Sequence, residues 1–200
     1  NLMAVILQPP ARATAINMGL PDKRFTAARY MGIVTATLLL DISGDMAMIE
    51  SKIKKTMRKK IEKASNEGVR VREGEEKDLA IFFKLMLETC NRQKVPPNPS
   101  NLNELVALYQ GARLAANPCR LTLAEYDGRA VAGLFCIPFN KTLSLFKKGS
   151  LINYLHTNAI ALLYYEAIGW AKSRGFNVCD FGSLDKSLAV GMIENRQVSQ

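Results

Sequence analysis

Asp180 is the carboxylate best placed in this sequence to act as a base. It lies in the stretch Asp-Phe-Gly-Ser at 180–183, within an apolar run from Phe176 to Phe181 that predicts a short buried strand. Ligands of α/β proteins usually bind at the carboxyl ends of strands. A carboxylate there could accept or orient the proton of an amine, or it could only hydrogen-bond the turn that follows.

Two lysines and two ring-bearing residues precede the helix that leads into this strand. Lys147 and Lys148 could hold phosphate groups or an oxyanion at the mouth of a sheet, or they could form an exposed turn. Tyr154 and His156 lie in the predicted loop before the helix and could line a cleft. We take these four as candidate substrate-binding residues.

A run of positive charge occupies residues 52–63, around a narrow apolar stripe at helical spacing. Its basic members are Lys52, Lys54, Lys55, Arg58, Lys59, Lys60 and Lys63. Such a face could be merely solvated, or it could contact phosphates, because Lys and Arg release counterions from polyanions. On the second interpretation we assign Lys55 and Arg58 to phosphate contact.

The whole chain is basic, with a formal net charge of +9 and a pI near 9.5 over 200 residues. That balance favours an anionic partner, either nucleic acid, a phosphorylated substrate or an acidic membrane surface, although a basic protein without such a partner has the same signature. Apolar residues make up 48% of the chain, enough for a core. No stretch is apolar over the roughly 18 to 20 residues that a membrane-spanning helix needs.

The cysteines argue against metal binding and against a disulfide framework. Cys90, Cys119, Cys136 and Cys179 are far apart and form no Cys-x-x-Cys motif, and His156 is the single histidine. We expect buried thiols of a cytoplasmic protein and no metal site. Because residue 1 is Asn rather than Met, we also expect the chain to begin inside a longer protein.

Helices and strands are predicted around these residues from their periodicity. Residues 33–42 read as a buried strand, and one helix is predicted from Asp45 to about Asn66. A strand near 69–71 and helices at about 79–93 and 101–114 follow. A last helix from about residue 157 ends at Gly175, which suits a left-handed residue, and leads into the strand of Asp180.

The clearest local signal is a β-hairpin. Asp127-Gly128, a strong two-residue turn, separates LTLAEY from RAVAGLFCIPF. Asn140-Lys141 then allows a third antiparallel strand at 142–146. From residue 69 onward the predicted order is strand, helix, helix, three-strand meander, helix, strand.

That order resembles the GNAT-type acyltransferases, and four segments resemble the FemAB family of peptidoglycan-bridge aminoacyltransferases. They are TLLLDIS at 37–43, SKIKKTMRKKIEKASNEGVRVREG at 51–74, LAEYDGRAVAGLF at 123–135 and YYEAIGWAKSRGFNVCDFGSLD at 164–185. They occur in the family's order, so the similarity covers roughly residues 33–185.

The resemblance implies an α/β fold, a GNAT-like mixed sheet with flanking helices. Residues 1–66 would be the end of a first GNAT-like domain and a basic connecting helix, and residues 67–200 a second GNAT-like domain. The implied reaction is aminoacyl transfer from charged tRNA to an amine of a peptidoglycan precursor, without a cofactor. The implied partners are aminoacyl-tRNA and a phosphorylated cell-wall precursor, with peripheral contact to an anionic membrane as a further expectation.

The sequence departs from the family pattern in three places. Most of the first domain is absent, and Gly191-Met192-Ile193-Glu194 stands where relatives have Gly-x-Tyr-x-Phe-Lys. Lys147-Lys148-Gly149-Ser150 stands where acetyl-CoA-binding GNAT proteins have a glycine-rich phosphate loop, which disfavours acetyl-CoA. Whether this stretch is active by itself is left open.

Two rival functions remain at the sequence level. One is an N-acyltransferase of another pathway with an acyl-CoA donor. The other is a non-catalytic, basic nucleic-acid-binding module built on the helix at 46–66, which predicts a steep salt dependence of binding. In the catalytic interpretation Asp180 is the residue that receives the amine proton.

Overall fold

The computed structural model describes residues 37–114 and 118–183, which belong to one compact unit that begins at Thr35. The strands are β1 (Thr37–Asp41), β2 (Arg70–Gly74), β3 (Arg120–Tyr126), β4 (Arg129–Phe139), β5 (Thr142–Ser150) and β6 (Val178–Ser183). The helices are α1 (Met46–Lys52), α2 (Lys55–Asn66), α3 (Leu79–Gln93), α4 (Leu102–Arg113) and α5 (Ala159–Ser173). Short 3₁₀ turns cover Glu76–Asp78 and Ile152–Thr157.

The six strands form one mixed sheet in the order β1-β6-β5-β4-β3-β2. Every neighbouring pair is antiparallel except β5 and β6, which are parallel because α5 crosses over between them. The α/β class and the element order predicted from residue 69 onward are confirmed. The hairpin is confirmed too, with Asp127 and Gly128 at φ 51° and 70°, the left-handed values that its turn requires.

The parallel pair β5–β6 is short. It consists of Thr142↔Val178, Leu143↔Cys179 and Ser144↔Asp180. Beyond Ser144, β5 follows β4 across a bulge, because one residue of β4 lies opposite two of β5 between the pairs Ile137↔Ser144 and Phe135↔Lys147. Beyond Asp180, β6 follows β1 instead. The two strands therefore part in the middle of the sheet.

Two apolar cores lie on the two faces of the sheet. On one face α5 packs on β4, β5 and β6 through residues such as Leu163, Ala167 and Cys179. On the other face α3 and α4 pack through Phe82, Tyr109 and Phe135, among others. Both faces of the central strands are therefore covered, as their nearly continuous apolar sequences predict.

The single helix predicted from Asp45 to Asn66 is instead two helices, α1 and α2. Ile53 and Lys54 between them have extended dihedral angles, with ψ at 123° and 140°. This break lets Ile49 of α1 and Ala64 of α2 both enter the core against α5. The tertiary packing therefore interrupts a helix at a place without glycine or proline. The strand predicted at 33–42 is found as β1, but its predicted burial is wrong. Strand β1 lies at one end of the described sheet order, and Leu38 and Leu39 are 49% and 53% exposed. Residues 33–36 lie outside the described residues.

The domain boundary predicted between residues 66 and 67 stays a prediction. In the described part of the chain β1 joins the same sheet as the later strands, and α1 and α2 share a core with α5. Across residues 37–114 and 118–183, none of the helices combines the length and the apolar character needed to cross a membrane.

An ion cluster with a buried carboxylate, Asp78, ties β2 to β3 and to the start of α3. The Arg72 guanidinium donates to both carboxylate oxygens of Asp78 at 2.8 and 2.9 Å, and its Nε donates to Glu125 Oε1 at 2.6 Å. Asp78 Oδ2 also accepts from the backbone N–H of Glu75. These contacts hold the pKa of Asp78 at about 2, below its ordinary 3.8.

We expect Asp78→Asn to lower the free energy of unfolding at neutral pH by about 2 kcal/mol, since the carboxylate that pairs with Arg72 is lost. The folded-state pKa of Asp78 is depressed, so this stabilisation is full above pH 3.8 and is lost as the pH falls towards 2. Urea titrations from pH 7 to pH 2 would measure it. A parent and variant whose difference in stability stays constant over that range would contradict the assignment.

Candidate functional site

A cavity of about 220 Å³ opens at the beginning of α5. Strand β4 and the end of β5 form its floor. The first turn of α5 and one side of α2 form its wall. Its lining residues are Met57, Lys60, Val131, Ala132, Ser150, Tyr154, Leu155, Asn158, Ala159, Ile160, Ala161 and Tyr164. The lining is mostly apolar with a few polar groups at its edge, as in small-molecule binding sites.

Helix α3 fixes the end of β5 that forms this cavity. Thr89 Oγ1 accepts a hydrogen bond from the backbone N–H of Ser150 at 2.9 Å. Arg92 donates to the carbonyl and the hydroxyl oxygen of Ser150, and Glu88 Oε1 accepts from the backbone N–H of Ile152 at 2.6 Å. The strand end is thus held from the face of the sheet opposite to α5.

The candidate lysines Lys147 and Lys148 lie in strand β5 and not in a turn. Their side chains lie on different faces of the sheet. Lys148 Nζ lies 5.5 Å from the ring centroid of Tyr164 on α5, whose ring in turn packs edge-on against Phe181 of β6 at 5.3 Å. The Lys147 side chain is half-buried near Cys90 on α3, and burial lowers its pKa. The structure therefore brings Lys148, but not Lys147, to the α5 side of the gap between β5 and β6.

Asp180 lies at the point where β5 and β6 part. Its neighbours Cys179 and Phe181 pack towards α5, so the Asp180 side chain projects from the other face. Its Oδ1 accepts from Thr37 Oγ1 of β1 and from the backbone N–H of Gly182 at 2.9 Å. Among the described residues no donor meets its second oxygen, Oδ2, which can therefore accept a hydrogen bond from a ligand.

Tyr154 and His156 lie in the 3₁₀ turn Ile152–Thr157 and form an aromatic cluster with Tyr126 of β3. The ring centroids of the three residues are 6.2 to 6.4 Å apart, and the Tyr154 and His156 rings are inclined by 24°. Arg129 of β4 lies with its guanidinium carbon 5.9 Å from the Tyr154 ring centroid. Tyr154 also lines the cavity, so the cluster borders it.

The basic helix α2 borders the same cavity, through residues other than those assigned from the sequence. Met57 and Lys60 line the cavity, whereas Lys55 and Arg58 are exposed elsewhere on the helix. Within the described ranges the one recorded ion pair of the α2 lysines and arginine is Lys63–Glu67, at 3.7 Å. Phosphate contact by Lys55 and Arg58 stays a prediction.

Two of the thiols, Cys136 and Cys179, lie in the core and not at an accessible site. Burial raises the pKa of Cys136 and of Cys179, the latter to about 12. Both are therefore neutral near pH 7 and belong to the core. In the part of the chain that the structure describes, no cluster of three His, Cys, Asp or Glu side chains could hold a metal ion.

Sequence reasoning missed three contributors to this site. Tyr126 and Arg129 flank the hairpin turn at Asp127-Gly128, and Tyr164 lies on α5. The alternation of LTLAEY and RAVAGLF could have placed Tyr126 and Arg129 near each other, because residues flanking a two-residue turn pair directly, as Tyr126↔Arg129 does. Nothing in the sequence placed Tyr154 beside them.

A family model described as "Acetyltransferase (GNAT) domain" matches residues 51–187. The match covers more than half of the chain, which therefore belongs to the GNAT acetyltransferase family. The comparison with curated proteins gives no match.

Solved structures of other proteins show the same fold. The crystal structure of FemX superposes with a TM-score of 0.69 at 12% identity, over 75% of this chain and 53% of FemX. A conserved protein of unknown function from Bacteroides thetaiotaomicron gives a TM-score of 0.57 at 16% identity, over 82% of this chain and 56% of that one.

A third similar fold is the C-terminal DUF2156 domain of an Agrobacterium fabrum protein described as a lysylphosphatidylglycerol synthetase. Its TM-score is 0.51 at 10% identity, over 81% of this chain and 52% of that chain. The chain spans about half the length of each of these three structures. At such identities the similarity establishes the fold alone.

Gly149 lets β5 lie directly against α3, and we expect Gly149→Ala to disturb the cavity. A Cβ there would lie 2.3 Å from the Met86 backbone nitrogen and 2.4 Å from the Leu85 carbonyl carbon, so the helix must move. We expect a loss of about 3 kcal/mol in stability, measured by urea unfolding.

Gly111→Ala in α4 is the matched control, because a Cβ there meets nothing within 4 Å. The control is expected to be neutral or to stabilise by up to about 1 kcal/mol. Equal stability of the two alanine variants would contradict the close packing of β5 on α3.

Proposed function

We propose that this chain forms part of an acyltransferase that moves an aminoacyl group from charged tRNA to an amine of a peptidoglycan precursor. The observation that carries the proposal is the basic helix α2 at the rim of the cavity, with Lys60 in the lining and further lysines exposed along the helix. A GNAT-family sheet supplies the acyl-transfer setting, and α2 supplies a surface for a polyanionic donor.

The segment before α5 favours a tRNA ester over an acyl-CoA thioester. Residues 147–150 continue strand β5, and the six residues of the 3₁₀ turn Ile152–Thr157 contain no glycine. A loop that wraps its backbone N–H groups around a diphosphate usually needs glycine to bring the main chain close. Between residue 147 and Thr157 there is no such loop, because the chain there is strand β5 followed by the 3₁₀ turn.

The chemistry asked of the protein is modest because the donor is already an activated ester. The acceptor amine attacks the ester carbonyl and forms the new C–N bond. The tetrahedral intermediate then releases the 3′-oxygen of the tRNA, which keeps the electrons of the broken C–O bond and takes up a proton to become the 3′-hydroxyl. The protein has to orient both partners and receive the proton that the amine loses.

Asp180 is our candidate for receiving that proton. It lies where β5 and β6 part, and its Oδ1 is held by Thr37 and Gly182 while no described donor meets Oδ2. Lys148 beside Tyr164, on the opposite face of the same gap, is our candidate for balancing the oxyanion or a phosphate. Lys147, Tyr154 and His156 stay candidate substrate contacts.

Because charged tRNA is a cytoplasmic substrate, the proposal also places the reaction in the cytoplasm. Peripheral contact with an anionic membrane remains a prediction from the net charge of +9. No cofactor or metal enters the proposed step.

The donor can be tested with a radiolabelled amino acid supplied either on tRNA or as a thioester of coenzyme A. The assay uses the chain, and in parallel the full product of its gene, with a lysine-containing cell-wall precursor as the acceptor. Transfer from tRNA only is the expected result. Transfer from the thioester only would move the protein to the N-acyltransferases of other pathways.

A third outcome would point to the non-catalytic alternative. Salt-dependent RNA binding that is equal for charged and uncharged tRNA, without transfer from either donor, would contradict the proposed acyl transfer. It would instead support a basic nucleic-acid-binding module.

We expect Asp180→Asn to lower kcat by about 10²- to 10⁴-fold, because an amide cannot accept the amine proton. The amide oxygen can still accept from Thr37 and Gly182, so the melting temperature should stay near that of the parent. Steady-state kinetics and thermal unfolding measure the two quantities.

Asp127→Asn is the matched control for this charge change. Asp127 is exposed in the hairpin turn at φ 51°, where Asn is equally accepted, and the variant should keep the parent rate. Parent-level turnover in Asp180→Asn would remove Asp180 from the mechanism.

A further inference from the structure

We infer that Tyr126, Tyr154 and His156, together with Arg129, form a stacking platform for an unpaired nucleotide end of RNA. The inference rests on the proposed function, and it assigns the surface that would receive the 3′ end of the donor. Tyr126 and Arg129 are neighbours across the hairpin turn, and Tyr154 and His156 are neighbours in the turn before α5, but the sequence does not bring the two pairs together. The fold assembles it from β3, β4 and the turn before α5.

The rings and their exposure suit a nucleobase. Tyr126 and Tyr154 are half-buried, which fixes them, whereas His156 and Arg129 are exposed. Tyr154 and His156 are nearly parallel at 24°, and Tyr126 meets both edge-on, at 64° and 88°. Flat side chains with a guanidinium beside them are the usual means by which proteins bind bases without reading their sequence.

The neighbouring charge suits an RNA strand more than a single small nucleotide. Helix α2 has 12 residues and is therefore about 18 Å long, which is long enough to lie along several consecutive phosphates of one strand. Lys60 of α2 and Tyr154 of the platform line one cavity, so the charged helix and the rings are continuous. A strand could thus run along α2 and place its last base on the rings.

The cavity connects the platform with the gap between β5 and β6. It lies between the platform and Tyr164, and Tyr164 contacts both Lys148 and Phe181 at the gap between β5 and β6. An acyl group attached to the end of the strand would therefore enter beside the rings and point towards the gap. The cavity volume of about 220 Å³ leaves room for an amino-acid side chain.

The test is a binding titration of the chain with a fluorescent single-stranded RNA of eight nucleotides. We expect Tyr154→Leu to weaken binding about tenfold, within the range measured for loss of one stacked base. Tyr154→Phe keeps the ring and should bind as the parent does, which separates stacking from the hydroxyl group. Lys60→Gln should lower the salt slope of the affinity by about 0.7, the contribution of one phosphate on single-stranded RNA.

Two variants serve as matched controls. Phe139→Leu removes an aromatic side chain that is 81% exposed at the other end of β4, and Lys84→Gln removes an exposed lysine on α3. Neither should change the affinity for the single strand by more than about twofold. Thermal melting of each variant confirms that it is folded, and a blunt-ended RNA duplex, which offers no unpaired base, should bind Tyr154→Leu as it binds the parent.

Three results would overturn the inference. They are parent-level binding of the single strand by Tyr154→Leu, an equal loss in Phe139→Leu, or an equal loss with the blunt duplex.

Coenzyme A, which also carries a base and phosphates, is the second probe. Binding of coenzyme A that depends on Tyr154, without such dependence for the oligomer, would assign the platform to a small nucleotide and also overturn the RNA assignment.

The outcome is separable from that of the proposed function. Transfer from charged tRNA together with single-strand binding that ignores Tyr154 leaves the proposed donor intact and rejects the platform. Binding that depends on Tyr154, with no aminoacyl transfer, supports the platform and rejects the donor.

Discussion

The parting of β5 from β6 is the constraint on which the candidate site depends. Parallel pairing stops after Ser144↔Asp180, because the second half of β5 stays with β4 across a register shift and the second half of β6 stays with β1. Peptide groups on the facing edges of the gap are then free to meet a ligand instead of a neighbouring strand. Asp180 and Lys148 matter because they lie at this gap, on its two faces.

The gap is held open by packing on the far side of the sheet. Thr89 accepts a hydrogen bond from the backbone of Ser150, and Gly149 allows the α3 backbone to approach β5. A strand end fixed in this way cannot swing back to pair with β6 without giving up its contacts to α3. Thr89 and Gly149 do not line the cavity on the α5 side, yet their contacts fix its shape. A cavity shaped in advance suits a site that must orient two substrates.

The charge of the chain and its aromatic residues become one surface only in the folded state. The lysines of α2 lie close together in the sequence, and their exposure alone does not distinguish a solvated face from a phosphate-binding one. Their position at a cavity that is also lined by Tyr154 is what favours a nucleic-acid partner. In the proposed function this surface receives the nucleotide-linked donor, in place of a glycine-rich segment before α5.

The sequence by itself determined the order of elements, the hairpin at Asp127-Gly128 and the GNAT-type class, since apolar periodicity and turn chemistry are local properties. It also pointed to Asp180 as a residue at a strand. Only the tertiary structure decided that the helix predicted from Asp45 breaks at Ile53, that Lys147 and Lys148 serve opposite faces, and that Tyr126 joins Tyr154. Strand register, a shifted pairing and contacts across elements set these features, and a one-residue shift reverses the face of every side chain that follows.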